Sequence, residues 1–240
     1  MPQTARKVDL VIVGGGPAGL SAALTAAEAG VPAILVDRNE ILGGQLIKQT
    51  HRFFGSREHY SGERGFTIAA KLAERLAAYG VVQVMTGSTV FGYYQDGVMG
   101  IHSSGRTRYL RPQTAILATG AAEKPLAFPN NDLPGIYGAG AVQTMVNVWG
   151  VLPGRRVLMV GTGNIGVIVA YQLLQAGLEV VACVDAAPAI GAYWVHAAKV
   201  RRAGVPIYTG HTIKRACGVR EVTGAVIERL DERGRPVPGS

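Results

Sequence analysis

The pattern of apolar and polar positions begins with a short, almost wholly apolar run over residues 8–13, which three glycines follow at once. Such a run is typical of a strand covered on both faces of a parallel sheet. Residues 18–29 are rich in Ala and Leu and end at Gly30, which predicts a helix with a glycine just beyond its end. A second apolar run over residues 33–36 ends at Asp37. The order predicts a strand, a turn, a helix and a strand.

Further along, the pattern predicts first a surface helix and then a change of sheet type. Residues 66–79 have apolar residues at helical spacing, and Gly80 ends this pattern. From residue 81 to about residue 112, short β-prone stretches alternate with turn signals, which predicts an antiparallel meander. Residues 114–117 form another short apolar strand. Residues 127–150 contain Pro, Asn, Asp and Gly and are predicted to be an irregular connector.

The opening pattern returns about 147 residues later, counted from Gly14 to Gly161. Residues 156–160 predict a strand, residues 167–176 a helix and residues 179–184 a second strand. A strand, a glycine turn, a helix and a strand in this order open a Rossmann-like nucleotide-binding fold. We therefore predict an α/β protein with two Rossmann-like folds and a small antiparallel meander.

The first glycine turn, over residues 14–19, fits the spacing G-x-G-x-x-G between a strand and a helix. Gly14 permits the tight turn, Gly16 lets the backbone approach a pyrophosphate, and Gly19 lets the helix pack closely on the strand. Asp37 follows Gly14 by 23 positions, where a carboxylate accepts hydrogen bonds from the ribose of an adenosine. With strand, helix and acid in register, the pattern favours dinucleotide binding over a glycine-rich turn beside a surface aspartate.

The second glycine turn, over residues 161–166, repeats this spacing, and Asp185 follows Gly161 by 24 positions. An acid at this place repels a 2′-phosphate, and residues 186–188 are Ala, Ala and Pro, which offer no cation to offset the repulsion. We therefore predict NAD rather than NADP at this turn. The alternative is a dinucleotide fold that no longer binds a nucleotide.

Composition narrows the classes of function. The 24 Lys and Arg exceed the 16 Asp and Glu, which gives a net charge of +8, but they are scattered, so we expect no nucleic-acid partner. Cys183 and Cys217 are 34 positions apart, and His51 and His59 have no acidic or Cys partner at ligand spacing, so we predict no metal site. The first residues lack the long apolar region of a signal peptide, and no apolar run could span a membrane. We expect a cytoplasmic protein.

With these residues placed, the sequence resembles the flavoproteins that have two dinucleotide-binding domains, the pyridine nucleotide oxidoreductases. The stretches VIVGGGPAGL, VDRN, GGQL, TAILATG and VGTGNIG carry the resemblance. It implies an FAD site formed by Gly14, Gly16, Pro17, Ala18, Gly19, Asp37, Arg38, Gly44, Gln45, Ala118, Thr119 and Gly120. It implies an NAD site formed by Gly161, Gly163, Asn164, Ile165, Gly166 and Asp185. Ordinary loop chemistry would explain Gly44 and Gln45 equally well.

The resemblance also implies a domain order, because in that family an NAD(P) fold is inserted into the FAD fold. We predict an FAD-binding domain over residues 1–126 with its meander at about 81–112, a connector over 127–150 and an NAD-binding domain over 151–240. The family's chain then returns to complete the FAD fold with a Gly-Asp pair that contacts the flavin. No such returning segment lies within the 240 residues, so we expect a chain truncated at its C-terminus that binds FAD weakly or not at all.

Two features separate this sequence from the dithiol branches of the family. Neither C-x-x-C nor C-x-x-x-x-C is present, which excludes disulfide reduction through a protein dithiol. The stretches FPNNDLPGIYGAGAVQTMVN and WGVLPGRRVLMVG are similar to the FAD-binding α subunits of heteromeric amine and amino-acid dehydrogenases or oxidases, the relatives of sarcosine oxidase, hydrogen cyanide synthase and dye-linked proline dehydrogenase. In those assemblies a partner subunit carries much of the substrate chemistry. We therefore expect a hetero-oligomer that acts on a small molecule.

We accordingly predict an FAD-dependent oxidoreductase in which a hydride moves between flavin and NAD(H) or an amine-type substrate. The cofactor performs the bond chemistry and the protein positions it. The sequence identifies no catalytic base. Two alternatives stay open: a non-catalytic or nucleotide-regulated assembly subunit, and an NADH-dependent electron donor to a ferredoxin or a quinone.

Overall fold

The computed structural model describes residues 5–240, and the chain divides after Ala122 into two compact units. The first unit contains β1 (Arg6–Val13), α1 (Pro17–Glu28), β2 (Ala33–Val36), α2 (Gly65–Ala77), β3 (Val82–Met85), β4 (Ser88–Tyr93), β5 (Met99–Ser103) and β6 (Arg106–Leu117). The second unit contains α3 (Ala139–Asn147), β7 (Arg156–Val160), α4 (Asn164–Gln175), β8 (Glu179–Asp185), α5 (Trp194–Arg202), β9 (Ile207–Thr209), β10 (His211–Gly218) and β11 (Val222–Arg229).

The first unit is built on one six-stranded sheet in the order β3-β2-β1-β6-β5-β4. Strands β3, β2 and β1 and the second half of β6 are parallel, whereas β4, β5 and the first half of β6 are antiparallel. Leu110 is the residue at which β6 changes partner, since it pairs with Met99 of β5 and with Arg6 of β1. One long strand therefore joins the antiparallel and the parallel parts of the sheet.

The apolar run at the start of the chain is explained by layers on both faces of this sheet. Leu10 and Ile12 lie in a core with α1 and α2, while the alternate residues Val11 and Val13 lie in a core with β5. Because successive side chains of a strand point to opposite faces, a strand covered on both sides is apolar at every position.

Two sequence expectations for this unit are wrong. The stretch at 82–85, predicted to begin the meander, is β3 and pairs in parallel with β2. The separate strand predicted at 114–117 is the end of the 12-residue β6. Pro112 and Gln113 interrupt the apolar pattern there, but the backbone continues as a strand. Local turn signals do not reveal which neighbour a strand will pair with.

The second unit has a three-stranded parallel sheet in the order β7-β8-β9 and a separate antiparallel hairpin of β10 and β11. Helix α3 lies in the stretch predicted to be an irregular connector. It forms because Val142 is buried in one core with Val167 and Leu173 of α4. The carboxylate of Glu123 supports its N-terminus by accepting the N–H groups of Ala139 and Gly140, at 2.8 and 3.0 Å.

No helix within residues 5–240 is both long enough and apolar enough to cross a lipid bilayer. Among the same residues, no three His, Cys, Asp or Glu side chains cluster in a way that could hold a metal ion.

Candidate functional site

The first glycine turn is held tightly between strands and helix. Gly14 has a φ of +106°, and its N–H donates to the carbonyl of Val36 at 2.8 Å. A Cβ atom on Gly14 would collide with the carbonyl of Ala118, and a Cβ atom on Gly19 would collide with the carbonyl of Gly14 itself. These two glycines therefore serve the packing of the turn, and any side chain there would displace backbone.

Gly16 is different, because the space in front of it is open. It is the N-cap of α1 with a φ of −74°, and a Cβ atom there would have one neighbour within 4 Å, the Cα of Gly44 at 3.8 Å. A glycine cap has no side chain to bond the first N–H groups of the helix, and the positive end of the helix dipole lies there. An anion would therefore find free space and N–H donors at the same place, in front of Gly16.

Asp37 connects this turn to the end of β2. It is only 6% exposed, and its Oδ2 accepts the N–H of Gly15 at 2.5 Å. Its Oδ1 accepts the backbone N–H of Asn39 at 2.7 Å and the Nδ2 of the same residue at 2.9 Å. Three of the roughly four acceptor positions of a carboxylate are thus used inside the protein, which leaves about one for a ligand hydroxyl.

The GGQ segment after Asp37 folds back onto the same turn. The N–H of Gly43 donates to the carbonyl of Gly15 at 2.7 Å, and Gly44 lies against Gly16. Gln45 is exposed beside them. The structure therefore brings the GGQ segment and the glycine turn together.

The remaining positions expected at this site are Ala118, which is hydrogen-bonded to β1, and five exposed residues. The N–H of Ala118 donates to the carbonyl of Val13 at 2.8 Å, which fixes the end of β6 beside the turn. Thr119, Gly120, Pro17, Ala18 and Arg38 are exposed.

The second glycine turn repeats four backbone N–H hydrogen bonds of the first turn. In each turn the N–H of the first glycine donates to a carbonyl at the end of the second strand, and the N–H of the next residue donates to the carboxylate of the acid. The same carboxylate accepts the N–H of the residue two positions after the acid. The fourth bond comes from a later segment of the chain, which returns and donates an N–H to a carbonyl of the turn. In the second unit these bonds join Gly161 to Val184 at 2.7 Å, Thr162 to Asp185 at 2.5 Å, Ala187 to Asp185 at 2.9 Å and Ala192 to Thr162 at 2.9 Å.

The steric roles of the glycines repeat in part, because a Cβ atom on Gly161 would meet nothing within 4 Å, unlike one on Gly14. Gly161 has a φ of +103°, and a Cβ atom on Gly166 would collide with the carbonyl of Gly161. A Cβ atom on Gly163 would meet no atom within 4 Å, so the space before α4 is open. Ile165 in the first turn of α4 is exposed.

Two contacts distinguish the second turn from the first. Thr162 stands where the first turn has Gly15, and its hydroxyl donates a further bond to Asp185 at 2.7 Å. Asn164 stands where the first turn has Pro17, and its Oδ1 accepts the N–H of Tyr193 at 2.8 Å. No sequence motif signals this second contact, because the two residues are 29 positions apart.

The hydrogen bonds to Asp185 set its charge state. Burial raises the pKa of this carboxyl, but the bonds from Ala187 N–H and from the N–H and hydroxyl of Thr162 outweigh burial, so its pKa lies below the ordinary value. Asp185 is therefore ionised at neutral pH.

This shift predicts a pH-dependent stability. A carboxylate whose folded pKa is below its unfolded value of about 3.9 stabilises the fold fully above that pH. The contribution is lost as the pH falls through the lower folded pKa. We expect Asp185→Asn to have a lower urea midpoint than the unchanged chain at pH 7. This difference in midpoint should become smaller below about pH 4. A deficit of constant size between pH 7 and about pH 2.5 would contradict this origin.

Comparison with known proteins identifies the family. The family model described as pyridine nucleotide-disulphide oxidoreductase matches residues 8–236. The chain belongs to this family. The resemblance inferred from its glycine turns and acids is thereby confirmed, and so is the α/β class with Rossmann-like folds, since the chain matches solved structures with this fold.

The curated relatives that this chain matches are named as subunits of oxidases and of a synthase. The chain is 36% identical over 211 residues to the alpha subunit of sarcosine oxidase from Rhizobium meliloti, covering 82% of this chain and 21% of the relative. It is 32% identical over 242 residues to the same subunit from Corynebacterium sp. strain U-96, covering 94% and 24%. It is 29% identical over 245 residues to HcnB, a hydrogen cyanide synthase subunit of Pseudomonas aeruginosa, covering 94% and 52%. The chain thus spans between about a fifth and about half of the length of these relatives.

Solved structures agree on the fold. The thioredoxin reductase of Lactococcus lactis matches with a TM-score of 0.75 at 21% identity, covering 96% of this chain and 73% of that one. L-proline dehydrogenase from P. horikoshii matches with a TM-score of 0.65 at 21% identity, covering 98% and 41%.

The two cysteines of this family member take no part in a dithiol. Both Cys183 and Cys217 are free thiols. Cys183 is buried in the core of the second unit, and burial raises its pKa to about 11, so it stays protonated and unreactive. The chain therefore has two glycine turns but no paired cysteines.

Proposed function

We propose that this chain is the FAD- and NAD-binding part of a flavin-dependent oxidoreductase that moves a hydride between the flavin and NAD(H) or an amine or amino-acid substrate. The observation that carries the proposal is the repeated turn: two open helix N-termini, each with a glycine whose Cβ atom would face free space, and each with an acid oriented by backbone N–H groups.

The residues present fit dinucleotides at both turns. At the first turn, the open face of Gly16 and the N-terminus of α1 would hold the FAD pyrophosphate, and the one remaining acceptor position of Asp37 would take a ribose hydroxyl. The GGQ segment would border the flavin side. When bound, the flavin supplies the hydride chemistry.

At the second turn, Gly163 and the N-terminus of α4 would hold the pyrophosphate of NAD. The ionised Asp185 opposes a 2′-phosphate, with a repulsion of up to about 4 kcal/mol per pair of unit charges at about 4 Å before screening. Residues 186–188 bring no cation to offset it. The site therefore favours NAD over NADP.

The names of the relatives support the choice of substrate and the presence of a partner. The sarcosine oxidase relatives and the hydrogen cyanide synthase relative are each named as one subunit of an enzyme, and sarcosine is a secondary amine. We therefore propose that this chain works in a hetero-oligomer. Anaerobic bleaching of its bound flavin by NADH, compared with bleaching by a secondary amine, would identify the hydride donor.

A pair of alanine substitutions tests the two sites separately. We expect Gly16→Ala to weaken FAD binding at least about tenfold and leave NADH binding unchanged, and Gly163→Ala to do the reverse. In each variant the new methyl group occupies free space where the phosphates belong, so the fold is kept. FAD titration followed by its fluorescence, and equilibrium dialysis of NADH, provide the measurements.

Matched controls come from glycines outside the turns. A Cβ atom would also meet nothing within 4 Å at Gly80 of the first unit and Gly154 of the second, and neither has a positive φ. Gly80→Ala and Gly154→Ala should bind both ligands like the unchanged chain. The proposal would be contradicted by turn variants that bind like these controls, or by an unchanged chain that binds neither ligand.

A further inference from the structure

The structural repeat extends beyond the glycine turn and the acid to a third segment in each unit. In the first unit, Gly43 returns to the turn and donates to Gly15; in the second unit, Ala192 returns and donates to Thr162. The residues that follow these two donors continue the returning segment in each unit. They are Gly44 and Gln45 in the first unit, and Tyr193 and Trp194 in the second.

The chemistry of the two returning segments differs. The first is small and polar, whereas the second places two aromatic side chains in solvent, with Tyr193 65% exposed and Trp194 71% exposed. Burial of large aromatic rings is a major source of folding energy, so leaving two adjacent rings outside the core suggests a binding role. The guanidinium of Arg201 lies over the Trp194 ring at 5.9 Å, so that ring follows the surface of α5.

Two hydrogen bonds fix the main chain around Tyr193 beside the second glycine turn. The bond from Ala192 to Thr162 holds it on one side, and its own N–H donates to the Oδ1 of Asn164, the first residue of α4. Thr162 is bonded to Asp185, so the turn runs from the acid at one end to Asn164 at the other. Along the turn, Asp185 is therefore bonded to Thr162 and Tyr193 to Asn164, and Gly163, with its open space, lies between these two contacts in the chain.

We propose that Tyr193 is a ligand-contacting residue of the second site, whose ring packs on the nicotinamide riboside half of the dinucleotide, and that Asn164 is the residue that positions it. This inference rests on the proposed function of the second turn. Asp185 takes the adenosine ribose and the N-terminus of α4 takes the pyrophosphate. The half of the ligand beyond the pyrophosphate then extends toward the Asn164 end, where a flat ring on a short, rigid side chain can stack on it.

Two probes separate this contact from the rest of the site: NADH, and ADP, which has the adenosine and both phosphates but lacks the nicotinamide riboside. Equilibrium dialysis of each against the purified full chain measures binding without any catalytic activity. We expect Tyr193→Ala to weaken NADH binding about tenfold and to change ADP binding less than about twofold. Tyr193→Phe keeps the ring and should bind both probes like the unchanged chain.

Tyr137 provides the matched control, since it is an exposed tyrosine of the second unit outside the returning segment. Tyr137→Ala should bind both probes normally. Asn164→Ala should weaken NADH binding in the otherwise unchanged chain but add almost nothing in the Tyr193→Ala background, because a positioning residue acts through the residue it holds. Equal losses in the two backgrounds would overturn the positioning role.

The outcomes distinguish a failure of this inference from a failure of the proposed function. Unchanged NADH binding by Tyr193→Ala, while Gly163→Ala loses both probes, would overturn the tyrosine contact and leave the second site standing. A loss of ADP equal to the loss of NADH, or an equal loss in Tyr193→Phe, would also overturn a ring contact with the nicotinamide half. Normal binding of both probes by Gly163→Ala would overturn the proposed site itself.

Discussion

Replacing Gly19 with alanine is expected to destabilise the first unit by up to about 2 kcal/mol, although the change improves helix propensity. Alanine inside a helix is favoured over glycine by about 1 kcal/mol. At Gly19, however, the added methyl group collides with the carbonyl of Gly14, which is backbone and is tied to Val36 through the N–H of the same residue. Overpacking against a group that cannot move aside costs about 1–3 kcal/mol or more and exceeds the gain.

Pulse proteolysis in increasing urea, with mass spectrometry to locate the cut, measures this effect unit by unit. Gly19→Ala should lower the urea midpoint for cleavage within the first unit, and Gly166→Ala should lower it within the second, where the methyl group meets the carbonyl of Gly161. Gly80→Ala, which adds the same atom in open space, should not be destabilising. A Gly19→Ala variant as stable as Gly80→Ala would show that the turn yields, contrary to the packing described above.

Removing the carboxylate of Asp37 is expected to cost about 3 kcal/mol of unfolding free energy and to abolish measurable FAD binding. Asp37→Ala leaves the buried N–H of Gly15 without its acceptor and frees both donors of Asn39. A buried donor without a partner costs about 1–3 kcal/mol, and bonds to a charged acceptor are the stronger kind. The loss of FAD binding follows because the glycine turn is no longer held, in addition to any lost contact with ribose.

Asp9 offers the comparison for this variant. It lies in β1 of the same unit, is exposed, and accepts one bond, from the Nε2 of Gln113 at 3.2 Å. Asp9→Ala should change the urea midpoint little and bind FAD normally, because an exposed bond exchanges easily with water. If Asp37→Ala were as stable as Asp9→Ala and lost only FAD affinity, the acid would act on the ligand alone.

The two cysteines of this chain bear on the disulphide chemistry in the family's name. The disulphide chemistry in the family's name needs two sulfur atoms within bonding reach, and the buried, protonated Cys183 does not provide one of them. The chain matches the family model over residues 8–236 and contains two glycine turns. The curated relatives that the chain matches are each named as one subunit of an enzyme.

The sequence by itself determined the α/β class and the two glycine turns with their strands and helices. These features are local: an apolar run followed by glycines, an Ala-rich helix and an acid is a pattern read within about 25 residues, and each of its residues has a steric reason to be there. The strands at 33–36 and 156–160 have the bounds that the pattern predicts.

Only the tertiary structure decided which partner each strand and side chain takes. The pairing of β3 with β2, the length of β6 through Pro112 and the helix α3 held by Glu123 depend on residues far apart in the chain. The same is true of Asn164 and Tyr193, whose hydrogen bond joins residues 29 positions apart and is not part of any sequence motif. Local pattern records which face of an element is apolar, but a contact between distant segments is fixed by how the whole chain packs.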